Sequence, residues 1–432
     1  MYANKSKKNC LTKKYKTLQK IRTVKGTKDL FGSNIRNHNS IQNKFCKICN
    51  FFNYSEISTP ILEYSEVFTK SLGLSSDIVS KEMYNFIDQG NESLVLRPEG
   101  TAAIARALVT NSLEHKKSKF FYYGPMFRRE RPQSGRLRQF HQLGIEYIGK
   151  TNYLNDLEVL ILAEKFLSEI GIRDELVLEI NTLGNKQSRI DYNKALGAFL
   201  KKNITQLSDK SKNRLETNPL RILDSKEPQD QQVIMKSPNI NDYLDSESKQ
   251  FFKFLLTGLD KLKIKYKLNR FLVRGLDYYN HTAFEYKMTE NKSQNAVLAG
   301  GRYDGLVKSF GGDDLSGVGW AAGVERIILK LSSNKSPNEK KICLFSTNDD
   351  LNLEILRLKN KIQTSESLQI NFINSGNFKK KISKANKIGA YGCIIFGEEE
   401  WKNKKVIWKN LLTGKQKLID LSSIEDFLNQ DI

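Results

Sequence analysis

The sequence predicts a mixed α/β chain: an α+β first domain split by a helical insertion, then a small α/β domain. Three observations predict it. Residues 120–148, FFYYGPMFRRERPQSGRLRQFHQLGIEYI, read as two apolar-aromatic strands around a polar loop, Glu130 to Arg138, with Pro132 and Gly135. From Asn185 to about Lys265 the chain turns polar, helical and Lys-rich. Beyond 341, strand-like KICLFST, a helical 349–363, INFINS, a helical 378–388 and GCIIFG alternate as βαβαβ. At 432 residues the chain exceeds one ordinary core, so two or three domains are expected.

The elements follow in order. Residues 1–28 hold no acidic residue, and 1–23 read as a basic tail. The tail is Lys-rich and Arg-poor, unlike a typical transit peptide, and it lacks the apolar stretch of a signal peptide. Residues 40–53 have helical spacing. Residues 154–170 form an amphipathic helix closed by Gly171, and a strand follows at 175–182. The insertion spans 185–265, so the first domain comprises 24–184 and 266–331. SSNKSPNEKK, 332–341, is a linker by composition and leads to the last domain, 342–432.

The 120–148 hairpin is where chemistry is expected. Only 18 of the 70 basic residues are Arg, yet residues 120–138 hold five (Arg128, Arg129, Arg131, Arg136, Arg138) and no Lys. Arg grips phosphate or carboxylate with a planar fork of donors, which Lys cannot do. On 140–147, His141, Leu143, Ile145 and Tyr147 share a mostly apolar face. Phe140, Gln142, Gly144 and Glu146 share the other. Polar groups separated by glycine suit a pocket floor better than a core. His141, on the apolar side, and His281, after Asn280, lack ligand-like neighbours in the sequence and are expected to be structural.

A net charge of +22 favours a polyanionic partner, although AT-rich codons also raise the Lys content. No apolar run approaches the roughly 20 residues that span a bilayer. The five cysteines, Cys10, Cys46, Cys49, Cys343 and Cys393, are odd in number and scattered, which points to a reducing compartment. Cys46 and Cys49 have metal-like spacing but no second pair, so they read as packing thiols.

FRRERPQSGRLRQFHQLGIE resembles motif 2 of class II aminoacyl-tRNA synthetases, in the form found in histidyl-tRNA synthetases. LVRGLDYYNHTAFEY (272–286) and AGGRYDGL (299–306) resemble that family's two histidine signatures. LRPEGT (96–101) resembles its amino-acid loop, GVGWAAGVERIIL (317–329) its motif 3, and TPILEYSEVF (59–68) its motif 1. The resemblance implies a class II antiparallel-sheet core with a helical insertion and an anticodon-binding α/β domain. It implies ATP-dependent ligation of histidine to tRNA(His) through an adenylate, with Mg²⁺ and a homodimer.

The resemblance also implies roles. Arg128 and Arg274 sit on the α-phosphate, with Arg274 as the electrophilic catalyst at the end of an apolar strand. Arg326 holds the γ-phosphate, and Arg136 joins them on ATP. Glu99, in the loop with Gly100 and Thr101, takes the substrate ammonium with Gln142 in support, although Thr101 is equally placed to cap the following helix. Glu146 and Tyr279 bond the imidazole, and Tyr278 and Tyr303 shape the pocket. No side-chain metal ligand is identified. Two other readings are open: a catalytically inactive paralogue serving as a regulatory subunit in histidine biosynthesis, and a plain basic RNA-binding protein. Composition suits an AT-rich bacterium or a plastid, with the basic tail favouring the plastid.

Overall fold

The computed structural model describes residues 21–73, 76–113, 119–289, 296–331, 340–362 and 368–430. Most of the basic tail and of the linker lies outside the described residues. The chain divides into two compact units after Asn334.

The first unit holds strands β1 Ser55–Glu56, β2 Leu62–Tyr64, β3 Tyr84–Ile87, β4 Ser93–Leu96, β5 Lys119–Phe127, β6 Gln139–Gly149, β7 Leu176–Thr182, β8 Tyr266–Leu268, β9 Asn280–Met288, β10 Ala296–Arg302 and β11 Ser316–Gly323. Eight of them form one sheet in the order β1-β5-β6-β11-β10-β9-β7-β8. Its interior pairs are antiparallel; only the outer pairs β1/β5 and β7/β8 are parallel. The remaining three strands make a small sheet, β2-β4-β3.

Alternation along β6 decides which face of the large sheet is dry. Leu143 and Ile145 join Phe45, Phe166 and Trp320 in a core beneath helices Ser33–Phe51 and Tyr153–Glu169. The first of these begins earlier than its spacing suggested, because His38 and Ile41 extend the buried stripe of Phe45, Ile48 and Cys49. The second starts at a reciprocal cap between Asn152 and Asn155. Gln142, Gly144 and Glu146 point the other way, toward the cleft.

The 185–265 segment is helical. Its helices run Lys186–Lys202, Asp209–Leu215, Pro228–Ile234 and Ser246–Lys261. Leu255 and Leu259 of the last helix lie in the core of the large sheet.

The second unit holds β12 Lys340–Ser346, β13 Leu368–Phe372, β14 Gly392–Phe396, β15 Lys405–Asn410 and β16 Gln416–Asp420, in the order β13-β12-β14-β15-β16. The first three strands are mutually parallel, as a βαβαβ pattern requires. Its helix Phe378–Lys387 is capped by the Asn377 side chain, which accepts from the Lys380 amide at 3.0 Å. Lys379, Lys380, Lys384 and Lys387 are exposed on it.

Candidate active site

A cleft of about 280 Å³ opens on the glycine-bearing face of the large sheet. Glu99, Thr101, Arg128, Arg136, Gln142, Arg274, Tyr278, Tyr279 and Arg326 all line it. Gly100, Glu146 and Tyr303 do not; Glu146 and Tyr303 are each 1% exposed and form the layer beneath.

One part of the cleft is cationic. Arg128 lies one residue past the end of β5, not on the strand, and Nε donates to the Pro98 carbonyl at 2.8 Å. Arg136 pairs with Glu130 at 2.5 Å. Arg326 is the third residue of helix Val324–Leu331 and donates to the Ala296 carbonyl at 2.7 Å. Burial, followed by the nearby Arg136 and Arg128 charges, pushes its pKa down to about 10. Guanidinium groups gathered in one cleft favour an anionic ligand.

Arg274 departs from expectation. It sits on irregular backbone between β8 and β9 rather than at the end of a strand. The reason is long-range: the carbonyls of Gly275, Asp277 and Tyr279 accept from Arg221 and Arg189 side chains, not from a neighbouring strand. Arg274 donates Nη1 to Glu285 at 2.6 Å, and its guanidinium lies 5.1 Å from the Tyr279 ring. Its Nε is buried without a partner. A buried, unsatisfied cationic donor in a cleft wall marks a place for an anionic ligand.

The other part is carboxylate-lined. Glu99, rather than Thr101, caps the helix Thr101–Thr110: its two oxygens accept from the Thr101 and Ala102 amides at 2.7 and 2.8 Å. Thr101 is freed for a different bond, donating its hydroxyl to Glu146 at 2.6 Å. Tyr303 donates to the other Glu146 oxygen at 2.5 Å. Gln142 accepts from the Gly100 amide at 3.2 Å and the Tyr122 hydroxyl at 3.0 Å. Gly319 pairs with Glu146 across the strands, and a Cβ there would strike the Glu146 carboxylate. Gly100 and Gly144 likewise make room for Tyr122. Tyr279 packs 4.6 Å from Tyr278, and burial together with Glu146 raises its pKa against the lowering effect of Arg274.

A sequence profile described as histidyl-tRNA synthetase matches residues 26–327, and an anticodon binding domain matches 341–431. The chain belongs to the histidyl-tRNA synthetase family. The histidine--tRNA ligase of Rhodospirillum rubrum is 42% identical over 409 residues, covering 94% of this chain and 98% of its own length. The chloroplastic histidine--tRNA ligase of Gracilaria tenuistipitata var. liui is 43% identical over 395 residues, 90% of this chain and 94% of its own. The crystal structure of apo S. aureus histidyl-tRNA synthetase superimposes with a TM-score of 0.77 at 30% identity, covering 95% of this chain and all of that one. The fold implied by the signatures is therefore the fold of this chain: a mostly antiparallel sheet with a helical insertion, and a separate anticodon-binding domain.

The family's cleft carries a pH signature here. Burial pushes the Glu146 carboxyl up to about 8 from 4.5, against the lowering effect of the Thr101 and Tyr303 hydroxyls, with Glu99 adding to the rise. A carboxyl whose folded pKa is raised holds its proton in the folded state between those two values. The Glu146 contribution to stability is therefore fully present below about pH 4.5 and is lost as pH rises to about 8. Glu146→Gln removes that term. Thermal unfolding of the ligand-free protein should show the wild type losing on the order of a few kcal/mol more than Glu146→Gln across the window. Parallel curves would show that Glu146 does not titrate there.

Some of the site was not foreseen. His141 has ligand-like neighbours: its Nδ1 lies 3.0 Å from Glu325, and one ligand atom each from His38, His141 and Glu325 falls within 4.8 Å of the others. The local spacing around His141 could not show this, because both partners come from remote helices. His38 Nδ1 is bonded to the Tyr123 hydroxyl at 3.0 Å, and the two His rings meet edge-on at 4.7 Å. Glu285, the anchor of Arg274, was also missed. A lone carboxylate on the inward face of a central strand was the signal that could have found it.

Proposed function

We propose that the protein ligates L-histidine to tRNA(His), using ATP and passing through histidyl-adenylate. The observation that carries this is one cleft lined by Arg128, Arg136, Arg274 and Arg326 together with Glu99 and Gln142, with Glu146 buried beneath and bonded to Thr101. In the first step a carboxylate oxygen of histidine attacks the α-phosphorus, and the bond to the β-phosphate breaks, its electrons leaving with diphosphate. The histidine carboxylate is already ionised, so no general base is needed. Arg274 and Arg128 stabilise the charge that develops on the α-phosphate, and Arg326 and Arg136 hold the outer phosphates. In the second step a terminal ribose hydroxyl of tRNA attacks the activated carbonyl, its proton passes to the phosphate of the adenylate, and the bond from the carbonyl to that phosphate breaks so that AMP leaves.

Glu99 with Gln142 would bind the ammonium, and Glu146 with Tyr279 the imidazole, in a pocket shaped by Gly100, Thr101, Tyr278 and Tyr303. A buried site that hydrogen-bonds a polar side chain rejects analogues lacking it by about 10⁴-fold or more, so no editing site is required. Glu130 and Glu285, the lining carboxylates paired with Arg136 and Arg274, are the side chains that would help hold Mg²⁺ beside the phosphates. When bound, the ion neutralises phosphate charge.

A second copy of the chain suits the groove beside the small sheet, where Ile61, Leu62 and Tyr64 are exposed and Pro60, Val67 and Phe310 line the wall. Among the described residues no helix is long and apolar enough to cross a membrane. The described cysteines form no disulfide.

A regulatory paralogue would be expected to lose the cleft arginines and the second unit; both are present. A plain RNA-binding protein leaves the buried Glu146 layer without a purpose. Charging of a tRNA(His) transcript with each amino acid in turn tests the proposal. Charging with histidine alone is expected; none with histidine, or equal charging with another amino acid, would refute it.

A further inference from the structure

The loop 274–279 carries Arg274, Tyr278 and Tyr279; the Arg274 side chain is anchored to Glu285 of β9, but the carbonyls of Gly275, Asp277 and Tyr279 are not held by the sheet. The partners of those carbonyls come from the helical insertion, while the Asp277 amide donates to the Leu72 carbonyl. Arg221 donates Nη1 to the Gly275 carbonyl at 2.7 Å. Asn218 donates to the Asp277 carboxylate at 3.0 Å. Arg189 donates to the Asp277 carbonyl at 2.7 Å and also to the Tyr279 carbonyl. The other arm of the Arg221 fork reaches Asp77 at 2.6 Å, and Arg214 of the insertion shares that carboxylate at 3.0 Å.

Irregular backbone keeps one conformation only while its polar groups have partners. Here the partners stand on a different subdomain, so the loop's shape depends on the insertion being docked. Arg221 joins three parts: the insertion, the segment around Asp77, and the carbonyl of Gly275, the residue after Arg274. A Cβ on Gly275 would come within 3.2 Å of the Arg221 guanidinium, which shows how closely the two are seated. Arg221 itself does not line the cleft.

We propose that Arg221 is a positioning residue for adenylation: the insertion, through this fork, sets the loop that aims Arg274 at the reacting phosphate. This rests on the assignment of Arg274 given above. It adds a role for the insertion in the step that involves no tRNA.

The test is pyrophosphate exchange, without tRNA, by the full-length wild type, Arg221→Ala, Arg274→Ala and the double variant. Misplacing a catalytic group by about 1 Å costs on the order of 10²-fold, so Arg221→Ala should lose about 10- to 100-fold in kcat. The KM for ATP should change less than about threefold. Because Arg221 acts through Arg274, adding Arg221→Ala to Arg274→Ala should cost less than about twofold more. Asn218→Ala removes a single bond to the same loop and is read by the same two criteria should Arg221→Ala fail to fold. Exchange by Arg221→Ala within about twofold of wild type would overturn the proposal. So would a loss in the Arg274→Ala background equal to that in the wild type. Normal exchange by Arg274→Ala alone would instead overturn the assignment of Arg274, and this inference with it.

Discussion

Arg274→Ala is expected to lower pyrophosphate exchange by about 10²- to 10³-fold, the loss typical of removing one preorganised donor from a developing oxyanion. Histidine affinity, measured by calorimetry without ATP, should stay within about threefold. The geometry separates the two effects. Glu285 anchors one Nη at 2.6 Å, while the buried Nε has no protein partner. A donor left unsatisfied in the resting protein is available when charge builds on phosphorus, and its bond is then made chiefly in the transition state. Arg274→Lys should restore little, because an ammonium cannot reproduce the fork that engages Glu285 and phosphate together. Near-normal exchange by Arg274→Ala would remove it from the chemistry. An equal loss of histidine binding would make it a binding group instead.

A chain ending at Asn334 is expected to make histidyl-adenylate at near the full-length rate yet lose most tRNA charging. All the cleft residues belong to the first compact unit, and the second begins at Lys335. The second unit, matched as an anticodon binding domain, exposes Lys379, Lys380, Lys384 and Lys387 on one helix. Every tRNA phosphate that this unit neutralises adds about 0.7–0.9 to the steepness of log affinity against log salt. The residual charging should therefore vary less with salt than that of the full chain. Adenylate formation and charging measured side by side at two salt concentrations decide the matter. Intact charging after truncation would show that the second unit does not read tRNA. Lost adenylation in a truncated chain that still dimerises would show that the units do not divide the work this way.

What the sequence disclosed follows the range of the interactions involved. Gln142, Gly144 and Glu146 could be placed on a pocket floor because strand alternation is a two-residue rule, and the cross-strand glycines Gly319 and Gly323 agree with it. The arginines were legible as a choice against a Lys-rich background. Arg274 was misplaced on a strand because the donors that shape its loop, Arg221 and Arg189, are 54 and 88 residues away from the carbonyls they hold. Thr101 was as good a cap as Glu99 in isolation. What frees it is Glu146, 45 residues further on. The neighbours of His141 were missed for a related reason. His38 belongs to the start of a helix whose apolar spacing is clear only later, and Glu325 lies 184 residues downstream.

The most direct test of the account is ATP–pyrophosphate exchange by the full-length protein with Mg²⁺, in the absence of tRNA, comparing histidine with the other amino acids. Histidine should support rapid exchange, and an amino acid without a hydrogen-bonding ring should support less by about 10⁴-fold. No exchange with histidine, from a folded protein that binds it, would contradict the account and leave a regulatory role for the cleft.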